Sequence, residues 1–465
     1  MIKCALFFSD FIGRPSKSFE FLKKAFAEEE MELICVARYK FEIFKKEYSD
    51  TDGYFLYDHF TDMDEEEIAK LEKSIDIPFN TIRMMNKVAT IRFPNIKNLP
   101  DNKYFANCVK SWVEFFDKEK PDFFLTGLID EYPGTIGLEV AKSLRIPVII
   151  LHPGKLSNSF VLLNGDYSLI KYKQSTEQEI LESYEKAKKM ILGEKIMNEK
   201  MVTISKRDRN FLSISTIARL VSSFFRNFNS YYMLLPKEDQ RLWYSTFELI
   251  VRQIKYFFRS SISKLFFSYE PKKGEKYILF PLHYIDDAAI TVRAPIVNQF
   301  NLIEEISKTL PCDTVLYVKP HPHWKCSDMK LSYMRRLGKL PNVRLLRVES
   351  DTKELIKNSN CVLIINSTTG FEALALGKKV VSFVKDYPED VVTKIKSFED
   401  LYSIDNIKFD EEKSKIFVGL YYAHAIFQQA PYYVTSDFTE YEDVRKIARE
   451  IKNAYLFLKS NSNKK

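Results

Sequence analysis

Two apolar strands that stop abruptly on turns of unusual chemistry constrain this chain more than any other feature. The first lies in TVLYVKPHPHW, where the β-formers of residues 314–318 end at Lys319, Pro320, His321, Pro322 and His323. The second lies in CVLIINSTTGFEALALGKKVVSFV. Residues 361–365 run into Asn366, Ser367, Thr368, Thr369 and Gly370, and a short helix over 371–376, Gly377 and a further strand over 380–384 follow. Unbroken apolar strands alternating with helices mark a parallel sheet covered on both faces. Ligands of such sheets bind beyond the carboxyl ends of the strands, and both polar clusters fall there.

The second junction can be read as chemistry. Ser367, Thr368 and Thr369 bring hydroxyls and backbone N–H groups to a helix N-terminus, and Gly370 lets another backbone come close, which makes an anion seat suited to phosphate. Glu372, in the first turn, is placed to accept from ribose hydroxyls. Serine and threonine are also preferred at that position purely as helix caps. The first junction tips the balance towards a site. Prolines on both sides of His321 fix the backbone and remove two donors, which suits an imidazole that must be held in place.

KPHP followed at this spacing by NSTTGFEALALGKKVV resembles the capsule polysaccharide biosynthesis proteins. That family is related in pattern to the bacterial Kdo transferases and the HP-motif sialyl- and polysialyltransferases. YILFPLHYIDDAAI, over residues 277–290, resembles the segment that precedes the HP motif in the same group. The resemblance covers residues 276–385 well and the N-terminal third loosely, and it departs from the pattern at Lys379, where a proline is usual. It implies a GT-B glycosyltransferase: two Rossmann-like domains, a helical segment between them and a C-terminal helix crossing back to the first domain. The substrate it implies is a nucleotide-sugar, often a CMP-sugar such as CMP-Kdo or CMP-sialic acid, with no separate cofactor. By this resemblance His321 contacts the donor phosphate, and Ser367 and Thr368 hold that phosphate from the helix end. His283, Lys319, His323, Thr369, Gly370 and Glu372 complete the expected substrate-binding set.

Composition narrows the alternatives. Glycine is scarce, at 13 in 465 residues, and neither GxGxxG nor GxxxxGK[ST] occurs, which argues against glycine-rich cofactor loops. The six cysteines show no paired spacing, and several lie in apolar strands, as reduced buried thiols do. With no signal peptide and no apolar run long enough to cross a bilayer, a cytoplasmic protein is expected. A net charge of +7 favours acidic partners without pointing to nucleic acid. The Asp-x-Asp of DMDEEE, residues 62–67, looks like a metal-holding pair, but the acids open a helical pattern whose dipole they complement, so no metal site is expected there.

A βαβ rhythm over the first 154 residues predicts a doubly wound domain. Its strand-end loops hold the general-base candidates, Asp130 and Glu131 foremost, with Asp10 and His152 in reserve. The pair also fits the alternative of capping the next helix. The expected boundaries are an acceptor domain over 1–165, a helical connection over 166–270, a donor domain over 271–437 and a C-terminal helix and tail over 438–465. Helices expected over 205–228 and 236–267 are basic and aromatic. They read either as packed amphipathic helices or as a peripheral contact with the inner membrane surface or a lipid-linked acceptor. The loop over 385–389 is expected to close over a donor base. Three function classes fit this reading: a transferase for surface polysaccharide, a sugar-nucleotide epimerase on the same plan, and a nucleotide-sugar-binding assembly subunit without catalysis.

Overall fold

The computed structural model describes residues 1–7, 17–37, 53–82, 102–127, 132–193, 246–283, 290, 294, 298–321, 329–384, 387–428 and 440–462. The chain opens with β1 (Ile2–Phe7), α1 (Lys17–Glu28), β2 (Met31–Ala37) and β3 (Gly53–Phe55). The acidic run then starts α2 (Glu65–Ser74). Asp64 accepts the Glu67 N–H, and the Asp64 N–H donates to the Glu67 carboxylate, a reciprocal cap. Asp62 is paired with Lys103 at 2.8 Å. Both aspartates of the Asp-x-Asp are therefore engaged locally.

The rhythm continues through α3 (Asn102–Glu119), β4 (Phe123–Thr126), α4 (Tyr132–Ser143) and β5 (Val148–Pro153). At β5 the chain departs from expectation. The strand runs on through His152 to Pro153 and turns back as an antiparallel neighbour, β6 (Ser159–Asn164), with the Gly154 N–H donating to the Ser159 carbonyl at 2.7 Å. Two connecting helices follow: α5 (Glu177–Leu192), which ends on left-handed Gly193, and α6 (Thr246–Phe266). The helix expected over 205–228, with Arg219 and Arg226, lies outside the described residues, and so does the side chain of Arg252.

The second unit alternates β7 (Tyr277–Pro281), α7 (Gln299–Thr309), β8 (Val315–Lys319), α8 (Leu331–Leu337), β9 (Val343–Leu345), α9 (Thr352–Asn358), β10 (Cys361–Ile364), α10 (Thr368–Ala375), β11 (Val380–Ser382) and β12 (Thr393–Lys394). α10 begins earlier than the expected Phe371, because the Ser367 hydroxyl caps it by accepting the Thr369 N–H. The chain then returns through α11 (Glu411–Ala423), β13 (Ile426–Phe427) and α12 (Tyr441–Ser462).

The described strands form two sheets, ordered β13-β6-β5-β4-β1-β2-β3 and β12-β11-β10-β7-β8-β9. Both are parallel except at β5–β6 and β6–β13. This is the GT-B plan of two Rossmann-like units with a helical connection and a C-terminal helix. The return is made before that helix, since β13 already belongs to the first sheet. α12 then lays Val444, Ile447, Ala448, Ile451 and Ala454, all fully buried, onto the first sheet. Each large aliphatic so buried is worth roughly 1.5–3 kcal/mol. The ion pairs Arg445–Glu28, Arg449–Glu29 and Lys452–Glu30 along its edge each reach solvent on at least one side and add about 0–1 kcal/mol apiece. Apolar burial therefore holds the C-terminal helix in place. The described cysteines are free thiols, and burial pushes those of Cys35 and Cys361 up to about 12. Among the described residues no helix is long and apolar enough to cross a membrane.

One contact joins the connection to the return. A Cβ on Gly419 of α11 would stand 2.2 Å from the Ile180 carbonyl oxygen of α5, so the two helices meet backbone to backbone. Gly419→Ala has to separate them, and overpacking of this kind typically costs about 1–3 kcal/mol. The variant is expected to melt at a lower temperature than the parent. An unchanged thermal midpoint would show that the helices part at no cost.

Candidate active-site cleft

In the second sheet the chain runs outward from β7 towards β9 on one side and from β10 towards β12 on the other. Loops leaving β7 and β10 therefore diverge, and a crevice is left beyond their carboxyl ends. A cleft of about 640 Å³ opens there, a size suited to a small-molecule site. One wall is made by Pro281, Leu282 and His283 after β7, by Lys319, Pro320 and His321 after β8, and by residues 366–369 with Glu372 at α10. Asp351, Thr352 and Lys353 at the start of α9 extend it. The facing wall is the β5–β6 turn of the first sheet: His152, Pro153, Gly154 and Lys155.

His283 is 5% exposed, and its surroundings engage it closely. Gln299 clamps its backbone from both sides, accepting the His283 N–H and donating to the His283 carbonyl, each at 3.0 Å. The imidazole Nε2 accepts the Asn366 N–H at 3.3 Å. The ring therefore bridges the ends of β7 and β10, holding the two sides of the crevice in register. Lys319 is buried too, with its ammonium donating to the Val348 carbonyl at 2.8 Å. His321 stands half-buried on the cleft wall. His152, on the opposite wall, places Nδ1 2.7 Å from the Pro153 carbonyl. A carbonyl can only accept, so Nδ1 carries the hydrogen and the lone pair of the neutral ring is on Nε2.

The helix end is partly self-satisfied. Ser367 Oγ takes the Thr369 N–H, and the Ser367 carbonyl takes both the Gly370 N–H at 3.0 Å and the Tyr387 hydroxyl at 2.8 Å. One expectation changes here. Gly370 does not line the cleft: a Cβ there would lie 2.5 Å from Ile364 Cδ1 and 3.2 Å from the Tyr387 hydroxyl, so glycine is needed for packing beneath the helix. Residues 385–386 of the loop expected to close over a donor base lie outside the described residues, and buried Tyr387 props the Ser367 carbonyl. From the facing turn, the Lys155 ammonium sits over the Tyr387 ring at 4.7 Å, linking the two walls.

Among the described residues, cations outnumber anions in this cleft. Lys155, Lys319 and Lys353 face Asp351 and Glu372, and Asp351 is engaged in capping α9 through the Lys353 and Glu354 N–H groups. Burial raises the Glu372 carboxyl above its ordinary value, and the Lys353 charge opposes this with smaller effect. Thus His283, Lys319, His321, Ser367, Thr368, Thr369 and Glu372 line one cleft, as does the reserve base His152. Asp10, Asp130, Glu131 and His323 lie outside the described residues. Sequence reasoning passed over Lys155, Asp351, Thr352, Lys353 and Asn366 as cleft residues. The strand-end rule that found the other loops applies equally to the β9–α9 turn, whereas nothing local marks Lys155.

A carboxyl with a raised value resists ionisation in the folded chain, so folded stability falls as pH climbs through the ordinary carboxyl range of about 4.3. Glu372→Gln removes that loss. The variant is expected to match the parent near pH 4 and to melt higher at pH 7. Parallel midpoint–pH curves for the two proteins would show that burial does not disfavour the charge.

Residues 178–387 match the family model for capsule polysaccharide biosynthesis protein, and the matched segment contains the KPHP and NSTTGFEAL junctions. Protein FixF of Sinorhizobium fredii is 29% identical over 110 residues, a segment that spans 23% of this chain and 26% of that protein. Among solved structures, the β-Kdo 2,7-transferase of Thermosulfurimonas dismutans KpsC is 16% identical, with 79% of this chain and 95% of that one covered and a TM-score of 0.33. The UDP-GlcNAc 2-epimerase of Methanocaldococcus jannaschii is 12% identical, with 97% and 99% covered and a TM-score of 0.27. Overlays at such identities and scores say nothing about chemistry.

Proposed function

We propose that this chain is a glycosyltransferase that moves a sugar from a nucleotide-sugar, for which a CMP-sugar is the first candidate, to a glycan or lipid-linked acceptor of surface polysaccharide. The observation that carries this reading is the cationic cleft at the β10–β7 switch point, in which the His321 loop and the Ser367 helix end share one wall and the first sheet supplies the other. The donor lies against the second sheet, with its phosphate towards the α10 N-terminus and its ribose within reach of Glu372. The acceptor enters from the side of the first sheet. Its hydroxyl oxygen bonds to the anomeric carbon as the bond from that carbon to the phosphate oxygen breaks, and the hydroxyl proton passes to a base. His152 Nε2 is the base candidate among the described residues, and Asp130 and Glu131 belong to the neighbouring strand-end loop. His321, Lys319 and the helix end stabilise the charge that develops on the departing phosphate, work that preorganised donors perform without reorganisation.

Purified protein would be incubated with CMP-, UDP- and GDP-sugars and a lipid-linked glycan in the presence of EDTA, and glycosylated acceptor trapped. Transfer is expected to persist in the chelator. An epimer formed without acceptor would replace this reading with the epimerase, and donor binding without turnover would leave a binding subunit. His321→Ala is expected to lower the single-turnover rate about a hundred- to a thousandfold, as loss of one such donor typically does, with donor affinity and thermal midpoint near those of the parent. Activity that falls only in proportion to folded protein would make His321 a structural clamp for its prolines.

The same reading places the protein on the cytoplasmic face of the membrane through its basic helices. The α6 surface that exposes Ile254, Lys255, Lys264 and Leu265 supports this. Replacing Arg219, Arg226, Arg252 and Arg259 with Gln is expected to weaken sedimentation with anionic liposomes. Unchanged sedimentation would return these helices to a packing role.

A further inference from the structure

The cleft wall holds one polar group that neither the helix cap nor the His321 loop accounts for. Asn366 is 5% exposed, and its side-chain Nδ2 is buried with no hydrogen-bond acceptor among the described residues. Buried donors are normally paired, and one left unpaired is costly enough to need an explanation. Asn366 is also firmly positioned. Its backbone N–H donates to His283 Nε2, and the His283 backbone is clamped on both sides by Gln299, so a chain of buried polar contacts from α7 fixes the backbone from which the amide projects.

We infer that the Asn366 amide is a donor to an oxygen of the bound anion, placed between the end of β10 and the α10 N-terminus; this rests on the nucleotide-sugar reading of the cleft. Three features select an anionic oxygen as the acceptor. Asn366 immediately precedes Ser367, the cap of α10, so it shares the positive end of that helix. Lys319 and Lys353 line the same wall. The adjacent Ser367 does not serve as its acceptor, since its Oγ holds the Thr369 N–H and its carbonyl holds Gly370 and Tyr387. The amide is thus a preorganised contact that only ligand completes, and it discriminates in favour of an acceptor oxygen at that point. A donor there would leave both groups unpaired.

The test uses the full chain with Asn366→Ala and Asn366→Asp, comparing the thermal midpoint without ligand and the affinity for CMP and for UDP by calorimetry. A hydrogen bond to a charged group typically contributes about ten- to a hundredfold in affinity. Asn366→Ala is therefore expected to bind the better nucleotide that much more weakly while melting, unliganded, no lower than the parent. Asn366→Asp is expected to bind more weakly still, because a carboxylate would face the phosphate. A fall in the unliganded midpoint of Asn366→Ala would show that the amide is already bonded within the fold and would overturn the inference; the midpoint of Asn366→Asp does not bear on this, because a buried carboxylate lowers it in either case. Equal affinities in parent and variants would remove Asn366 alone and leave the nucleotide reading standing. A parent that binds neither nucleotide would take down that reading and this inference together.

Discussion

The backbone contact between Ile180 and Gly419 joins two helices that lie far apart in the chain, and both of them pack on the helix whose N-terminus lines the cleft. α5 leaves the first sheet and α11 returns to it, and where they touch there is no room for a methyl group. Together they support α10 from behind. The Tyr184 hydroxyl of α5 donates to the Ala375 carbonyl at the end of α10, Ser414 of α11 donates to the Leu374 carbonyl, and Phe371 packs against Tyr421 and Phe417. The helix that ends at the cleft is thereby held to the first unit as well as to its own sheet. Close-packed interiors transmit position in this way because side chains and backbone have few alternative arrangements of equal density.

On the open side of α10 the controlling physics is polar. Strand ends that converge at a switch point bury backbone groups, and these must find partners. His283 meets that requirement by bridging β7 and β10, which explains a buried histidine at a strand end without giving it a free ring. Lys319 settles part of its charge on the Val348 carbonyl. The groups that remain directed at the cleft are mostly cationic or donors, with Glu372 the carboxyl that burial keeps reluctant to ionise. Donors already aimed into such a space are what the proposed phosphate site requires. On the facing wall, Lys155 over Tyr387 ties the first sheet's turn to the residue that props the Ser367 carbonyl. Contact between the two walls and the geometry of the helix end are therefore linked.

Much of this architecture could be read locally. Apolar runs without alternation announced parallel strands, and β8, β10 and β11 start within a residue of the expected 314–318, 361–365 and 380–384. The acidic run proved to be a helix start because Asp64 and Glu67 stand at capping-box spacing, a relation contained within four residues. The C-terminal helix expected within 438–465 is α12, Tyr441–Ser462. The strand-end rule located His283, Lys319, His321 and Ser367 on a common side of the second sheet, since each follows a strand pointing the same way. Gly370 was expected to let another backbone come close, whereas the atoms that approach it belong to the side chains of Ile364 and Tyr387.

By itself, then, the sequence determined two α/β units, the order of their strands along the chain and the chemistry at each strand end. These depend on periodicity, capping and turn residues, all of which act over a few neighbours. The tertiary structure alone decided that β5 turns back into β6, that β13 rejoins the first sheet before the last helix, and that Lys155 faces Tyr387 across the cleft. It alone decided, too, that the Asn366 amide is buried without an acceptor while the adjacent Ser367 hydroxyl is satisfied. Each of these outcomes pairs segments or measures burial across the whole fold. Partner choice there is set by packing and desolvation among residues distant in the chain, and no local pattern encodes it.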